Sequence, residues 1–195
     1  TYRELIAEIN VIAAGLAENG IGAGSRVATA LPTTWEHCLF VMAVMRLNAV
    51  PAMLNFRLKP EEMAALCQAC GIQAAAILPD EALAEALAEV LPTGAPIWSV
   101  GSAAGRARHF EECRANAADL ARYTKPAEDD IAFLYFTSGT TGLPKAVVLN
   151  QLTSEHRILW LSTQGGLRHG THNRALGCMP ISHGIGFYGV FLVTL

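Results

Sequence analysis

The sequence has no stripe of basic residues, no apolar run that could span a bilayer and no paired cysteine framework, and each absence removes a class of function. Its 14 Lys and Arg stand against 17 Asp and Glu, for a net charge of −3. The cations are scattered, so there is no positive field for nucleic acid. The most apolar stretches, 37–54 and 184–195, are respectively interrupted by Arg46, Asn48 and Pro51 and too short for a membrane span. The five cysteines are odd in number and lie among apolar neighbours, which fits a reduced, cytoplasmic setting better than a secreted disulfide scaffold. Only 16% of the residues are charged while 52% are hydrophobic, so a chain of 195 residues buries a substantial core and is not disordered.

Apolar periodicity gives the organisation. Leu5, Ile6, Ile9, Ile12, Ala13 and Leu16 recur at helical spacing over 2–19, and Asn19-Gly20 closes that helix. A buried strand at 26–31 follows, then the cap Pro32-Thr33-Thr34 and a helix over 35–47. Strands at 49–54, 73–78 and 97–100 alternate with helices over 59–71 and 80–91. This βαβα repeat with short connections predicts an α/β fold, a largely parallel sheet flanked by helices on both faces.

The pattern weakens over 101–130, and 125–130 is polar. The spacing predicts a first α/β subdomain over 1–124, a linker over 125–130 and the start of a second, separate sheet over 131–195. A loop at a seam between two sheets is a usual place for a ligand. A helix over 151–164 and a strand over 174–179 are expected beyond it. Leu195 falls inside an apolar run with no capping or turn residue, so the chain reads as a piece of a longer polypeptide.

Two apolar runs, 131–136 and 146–149, flank Thr137-Ser138-Gly139-Thr140-Thr141-Gly142-Leu143-Pro144-Lys145. The loop is too polar for a core. It offers hydroxyls, glycines that admit a ligand close to the backbone, and an ammonium, the groups a polyphosphate requires. A Walker-A loop is lacking, because Gly142 is followed by Leu143-Pro144 and a strand, not by Lys-Ser or Lys-Thr and a helix. Spacing alone leaves an ordinary Ser/Thr/Gly-rich hairpin loop open as the alternative.

Other features carry less. Cys67-Gln68-Ala69-Cys70 is a C-x-x-C in the last turn of an amphipathic helix with no second pair, so zinc or redox use has no partner residues. His169 and His172 lie in a polar loop without a nearby carboxylate and read as solvated. Arg57 follows a strand end, where α/β proteins place ligand contacts, and a guanidinium fork suits phosphate.

The string YFTSGTTGLPKAVVLN closely resembles the phosphate-loop signature of the acyl-adenylate-forming superfamily, and 177–187, containing Met179-Pro180-Ile181-Ser182-His183-Gly184-Ile185-Gly186, resembles that superfamily's acyl-pocket motif. The stretches 49–59, 155–164 and 166–173 are similar to the chlorobenzoate–CoA ligase subgroup. What the resemblance implies is an AMP-forming acid–CoA ligase. A carboxylic acid, aromatic or otherwise compact, is activated by ATP to an acyl-adenylate and then passed to CoA. Thr137, Ser138, Gly139, Thr140, Thr141, Gly142 and Lys145 would hold the ATP phosphates, with Thr141 also helping to hold Mg²⁺. Trp160, His183, Gly184 and Ile185 would form the acid pocket, Lys145 and His183 would be catalytic, and Arg57 would meet a CoA phosphate. Adenylation with a carrier protein as acceptor and a non-catalytic binding homologue are the alternatives. The partners implied are these small molecules, without nucleic acid or membrane, and a homo-oligomer is left open.

There are departures from the pattern. Trp160 stands where the subgroup has phenylalanine, Gly184 replaces a larger apolar residue, and Ala146 and Asn48 replace usual glycines. The adenine, ribose and metal groups and the C-terminal lid with its lysine would lie beyond Leu195, so the chain alone is expected to be inactive.

Overall fold

The computed structural model describes residues 1–137, 144–164 and 176–192, with no account of the Asp119 side chain. Seven strands form one sheet in the order β5-β4-β3-β1-β2-β6-β7. The strands are β1 (Arg26–Ala30), β2 (Val50–Met53), β3 (Ala74–Ile77), β4 (Ile97–Ser99), β5 (Arg108–His109), β6 (Ile131–Thr137) and β7 (Lys145–Asn150). Every neighbouring pair from β5 to β6 is parallel, and only β7 runs antiparallel to its neighbour.

The helices α1 (Tyr2–Glu18), α2 (Trp35–Arg46), α3 (Pro60–Cys70) and α4 (Glu81–Val90) divide between the two faces. Val27, Ala74 and Ala76 pack with Ile12, Leu16, Phe40 and Val44 of α1 and α2. Their alternates Ala28, Ala30, Ala75 and Ile77 pack with Met63, Leu66, Leu83 and Leu87 of α3 and α4. Because both faces are covered, the strands read as unbroken apolar runs without an alternating pattern.

Residues 125–130 do not divide one sheet from another. β6 adds in parallel to β2, with Ala52 opposite Leu134 and Met53 opposite Tyr135, so the strand before the Ser/Thr/Gly loop belongs to the first sheet. Local periodicity cannot reveal which strand a later one will pair with, and here the edge left by β2 was open. The 125–130 segment also starts the next helix, α5 (Gln151–Gln164): the carbonyls of Asp130 and Glu128 accept from the N–H groups of Gln151 at 2.9 Å and Leu152 at 3.1 Å.

The weakly patterned 101–130 region is tied down by polar contacts. Arg46 donates to the Ala121 carbonyl at 2.9 Å, and the Asn48 side chain donates to the Thr124 carbonyl at 2.7 Å. Asn48 itself has φ of 55°, a left-handed conformation that asparagine tolerates better than most residues, which accounts for its standing where glycine is usual. Residues 176–179 do not form the expected strand: they have no ladder partner among the described residues, and Arg174 lies outside them. The short helix α6 (Gly184–Gly186) follows and runs into a π-helical stretch over Phe187–Leu192.

Candidate functional site

The carboxyl ends of β1, β2 and β6 open onto a cavity of about 800 Å³. Pro32 and Thr33 line it after β1, Met53 and Asn55 to Leu58 at the end of β2, Phe136 and Thr137 at the end of β6, Pro144 before β7, and Ser182 and His183 before α6. The cavity therefore sits on the edge where parallel α/β sheets present ligands.

Arg57 reaches it on a tight turn in which the Asn55 carboxamide accepts from the Arg57 N–H at 3.0 Å. The guanidinium lies 5.5 Å from the centre of the Phe56 ring and makes no ion pair among the described residues. Its charge is open to an anion.

Thr137 and Lys145 face each other across the antiparallel β6–β7 ladder, and the Thr137 hydroxyl donates to the Lys145 carbonyl at 3.4 Å. The pairing brings the two ends of the polar loop together at the cavity rim. Ser138, Gly139, Thr140, Thr141 and Gly142 lie outside the described residues. Lys145 is exposed and is not among the residues lining the cavity, although Pro144 beside it is.

His183 caps α6, its Nδ1 accepting from the Ile185 N–H at 3.3 Å, so the neutral ring carries its proton on Nε2. The turn before it is closed by the His183 N–H donating to the Pro180 carbonyl at 2.9 Å. Gly186 is needed for packing: a Cβ there would lie 2.2 Å from the Pro180 carbonyl oxygen, whereas one on Gly184 would meet nothing within 4 Å. Trp160 and Ile185 are both 62% exposed and do not line the cavity among the described residues. The structure thus brings Arg57, Thr137 and His183 to one cavity and leaves Trp160 and Ile185 at its outside.

Beneath the cavity lies His37, which sequence reading passed over as an ordinary helix residue. It is fully buried, with Nδ1–H donating to the Pro32 carbonyl at 3.0 Å and Nε2 accepting from the Thr29 hydroxyl at 3.1 Å. Burial pushes its pKa down to about 4, so the imidazole is neutral at ordinary pH. Thr33 was read only as part of a helix cap, yet its hydroxyl accepts from the Ile181 N–H at 3.1 Å and joins the corner after β1 to the His183 turn. A Pro-Thr-Thr corner at the end of a parallel strand was the available signal.

Further from the cavity, Tyr135 and Tyr188 are buried against Phe133 and Phe187, and burial raises both phenols. Tyr188 bonds Ser154 at 2.8 Å, whereas the Tyr135 hydroxyl has no partner among the described residues. Cys67 is buried and its thiol pushed up to about 12, the state of a packing residue and not of a reactive thiolate.

A largely parallel sheet flanked by helices, with a cavity at its carboxyl edge lined by Arg57, by Thr137 and Pro144 at the two ends of the hydroxyl-rich loop and by His183, defines an α/β domain with a candidate ligand site. The chain belongs to the AMP-binding enzyme family, which matches it over residues 1–195. It is 38% identical over 200 residues to a 4-chlorobenzoate–CoA ligase of Arthrobacter sp, a match that covers 100% of this chain and 36% of that protein. It is 33% identical over 152 residues to the medium/long-chain-fatty-acid–[acyl-carrier-protein] ligase FadD10 of Mycobacterium tuberculosis, covering 78% of this chain and 28% of that one. ATP-bound MatB from Rhodopseudomonas palustris has the same fold, with a TM-score of 0.84 at 24% identity over 99% of this chain and 37% of that one. The chain thus spans about a third of the length of the curated relatives it matches. Among the described residues no helix is long and apolar enough to cross a membrane.

Proposed function

We propose that this chain forms the acid- and phosphate-binding portion of an ATP-dependent acid–CoA ligase acting on an aromatic or otherwise compact carboxylic acid. The observation that carries this reading is the cavity onto which the ends of the Ser/Thr/Gly loop, Arg57 and His183 all open. Those residues come from three separate places in the chain, and random polar residues would not converge there.

In the first half-reaction a carboxylate oxygen attacks the α-phosphorus of ATP, and the α–β phosphoanhydride bond breaks to release pyrophosphate. Positioning and electrostatics dominate such transfers. Residues 138–142 and the Lys145 ammonium stabilise charge moving onto pyrophosphate, while His183, which lines the cavity, orients the acid, with Gly184 beside it in sequence and Trp160 and Ile185 contributing from outside the described cavity lining. Mg²⁺, with Thr141 among its holders, would add charge neutralisation when bound. In the second half-reaction the CoA sulfur attacks the acyl carbon and AMP leaves, with Arg57 gripping a CoA phosphate through its fork of N–H donors. The five free thiols, three of them buried, fit a reducing, cytoplasmic setting for this reaction.

The likeness to FadD10 favours one other acceptor, a carrier protein with a pantetheine arm. The test is thioester formation by the full-length enzyme against a panel of benzoates and fatty acids, with CoA or a carrier protein bearing its pantetheine arm as acceptor. CoA thioesters of aromatic acids are the expected product; transfer to the carrier alone would replace the reading.

A further inference from the structure

The Thr33 hydroxyl links the corner after β1 to the turn that carries His183, two stretches that both line the cavity. After β1 the chain turns a corner through residues 31–34, where most polar groups are used locally. The Pro32 carbonyl accepts from the His37 ring at 3.0 Å, and the Thr34 hydroxyl accepts from the His37 backbone N–H at 3.3 Å, capping α2. Thr33 differs, because its hydroxyl reaches a residue 148 positions away and accepts from the Ile181 N–H at 3.1 Å.

Ile181 lies inside the turn that presents His183. Its side chain is 3% exposed and packs with Val41, Met53 and Phe187, while the Pro180 carbonyl before it closes the turn onto the His183 N–H. One polar bond and one apolar side chain therefore set where the imidazole stands relative to the ends of β1 and β2. Thr33, Ser182 and His183 line the same cavity. The corner that offers the hydroxyl is itself held from below by the buried His37, with Thr29 on its other nitrogen.

We propose that Thr33 is a positioning residue for the acid site: its hydroxyl anchors the 180–183 turn and so fixes His183 against the carboxylic acid. This rests on the acid-activating function proposed above. Thr33 acts through the turn and not on the reacting atoms, so its loss weakens acid binding and alignment while the phosphate loop, on the β6–β7 side, keeps its grip on ATP.

The test is made in the full-length enzyme. Thr33→Val keeps the shape, removes the acceptor and leaves the Ile181 N–H without a partner. A hydrogen bond of this type shifts a local equilibrium by a few-fold to about tenfold, so amide exchange at Ile181 should quicken by roughly that factor and KM for the acid should rise similarly. KM for ATP should stay within about twofold, and Thr33→Ser should recover most of both acid KM and amide protection. Where Thr33→Val does not accumulate as folded protein, Thr33→Ala removes the same hydroxyl without adding an apolar methyl group at this exposed position. Unchanged Ile181 exchange, a serine variant as impaired as the valine one, or equal rises in the acid and ATP constants would each overturn the proposal. Absence of acid-dependent adenylate formation in the unaltered enzyme counts against the function proposed above, whereas adenylate formation indifferent to Thr33 counts against the positioning role alone.

Discussion

The sheet has a closed side and an open side. From β5 to β2 both faces are roofed by helices, and Trp98, Phe40, Ile12, Leu16 and Leu31 are almost wholly withdrawn from solvent. On the β6–β7 side, Val148 is 57% exposed, and Leu159 and Trp160 of α5 are 63% and 62% exposed. The closed side supplies its own stability, while the open side carries the polar loop. The cavity draws on both, taking Thr33 and Arg57 from the first and Thr137, Pro144 and His183 from the second. Site geometry therefore depends on the β2–β6 junction, where Met53 and Tyr135 are paired in register and Phe133 meets Phe187 with ring centres 4.8 Å apart.

The contrast breaks most visibly under truncation. Phe40, which touches the Trp98 and Phe110 rings at 5.8 and 5.9 Å, is fully buried. Phe40→Ala should cost about 3–5 kcal/mol, from lost transfer free energy plus the cavity left behind. Val148→Ala on the open side should change stability by less than about 0.5 kcal/mol. Denaturant midpoints of the two variants check this, and equal losses would mean that β7 is as well packed as α2.

The chemistry should divide the other way. Lys145→Ala is expected to lower acid-dependent ATP–pyrophosphate exchange by about 10²–10³-fold in the full-length enzyme, the usual loss when a group stabilising developing charge is removed. The protein should remain folded, because Lys145 is exposed. Arg57→Ala should instead leave exchange nearly intact and slow thioester formation, since a group that meets only CoA does not affect a step that precedes it. Equal losses in both half-reactions would reassign Arg57 to structure.

A pH effect belongs to the closed side. The His37 pKa falls from an ordinary 6.5 to about 4 on folding, because burial disfavours the imidazolium. The unfolded chain then binds the proton more readily than the folded one below 6.5. The stability tied to the neutral ring is full above that pH and is lost as pH falls toward 4. At about 1.4 kcal/mol per unit, the loss across that window is about 3 kcal/mol. In His37→Val the fall in unfolding free energy between pH 6.5 and 4 should be shallower by about that amount. An unaltered slope would show that His37 does not carry it.

Much of the closed side was legible in the sequence, because helical spacing in 2–19 and the short apolar runs at 26–31 and 73–78 are local signals. The places of Arg57 and of the loop's ends, Thr137 and Pro144, at the carboxyl edge were also legible, because each follows or precedes a recognisable strand. What could not be read was non-local. The parallel pairing of β6 with β2 joins residues some eighty positions apart, which no window of sequence contains. The same is true of the bond from Thr33 to Ile181 and of the burial of His37, whose sequence neighbours do not distinguish it from a surface histidine.

The two glycines beside His183 give the finest separation of the sides, because an added Cβ meets backbone at one and open space at the other. Gly186 faces the protein, since a Cβ there would lie 2.2 Å from the Pro180 carbonyl oxygen and 2.6 Å from that of Met179. Backbone atoms cannot swing aside as side chains do, so Gly186→Ala must displace the 180–183 turn, at a cost of about 1–3 kcal/mol. The same shift would loosen the Ile181 bond to Thr33 and raise KM for the acid. Gly184 faces open space, with nothing within 4 Å of an added Cβ, so Gly184→Ala should alter stability by less than about 0.5 kcal/mol. Under the acid-pocket role proposed above, its effect should appear as a changed preference among substituted benzoates, because one methyl group in a pocket discriminates by about 1–3 kcal/mol at most. Thermal unfolding and a benzoate panel run on both variants separate the cases. A destabilised Gly184→Ala, or a Gly186→Ala that keeps wild-type stability and acid KM, would show that the turn packs differently from the arrangement seen here.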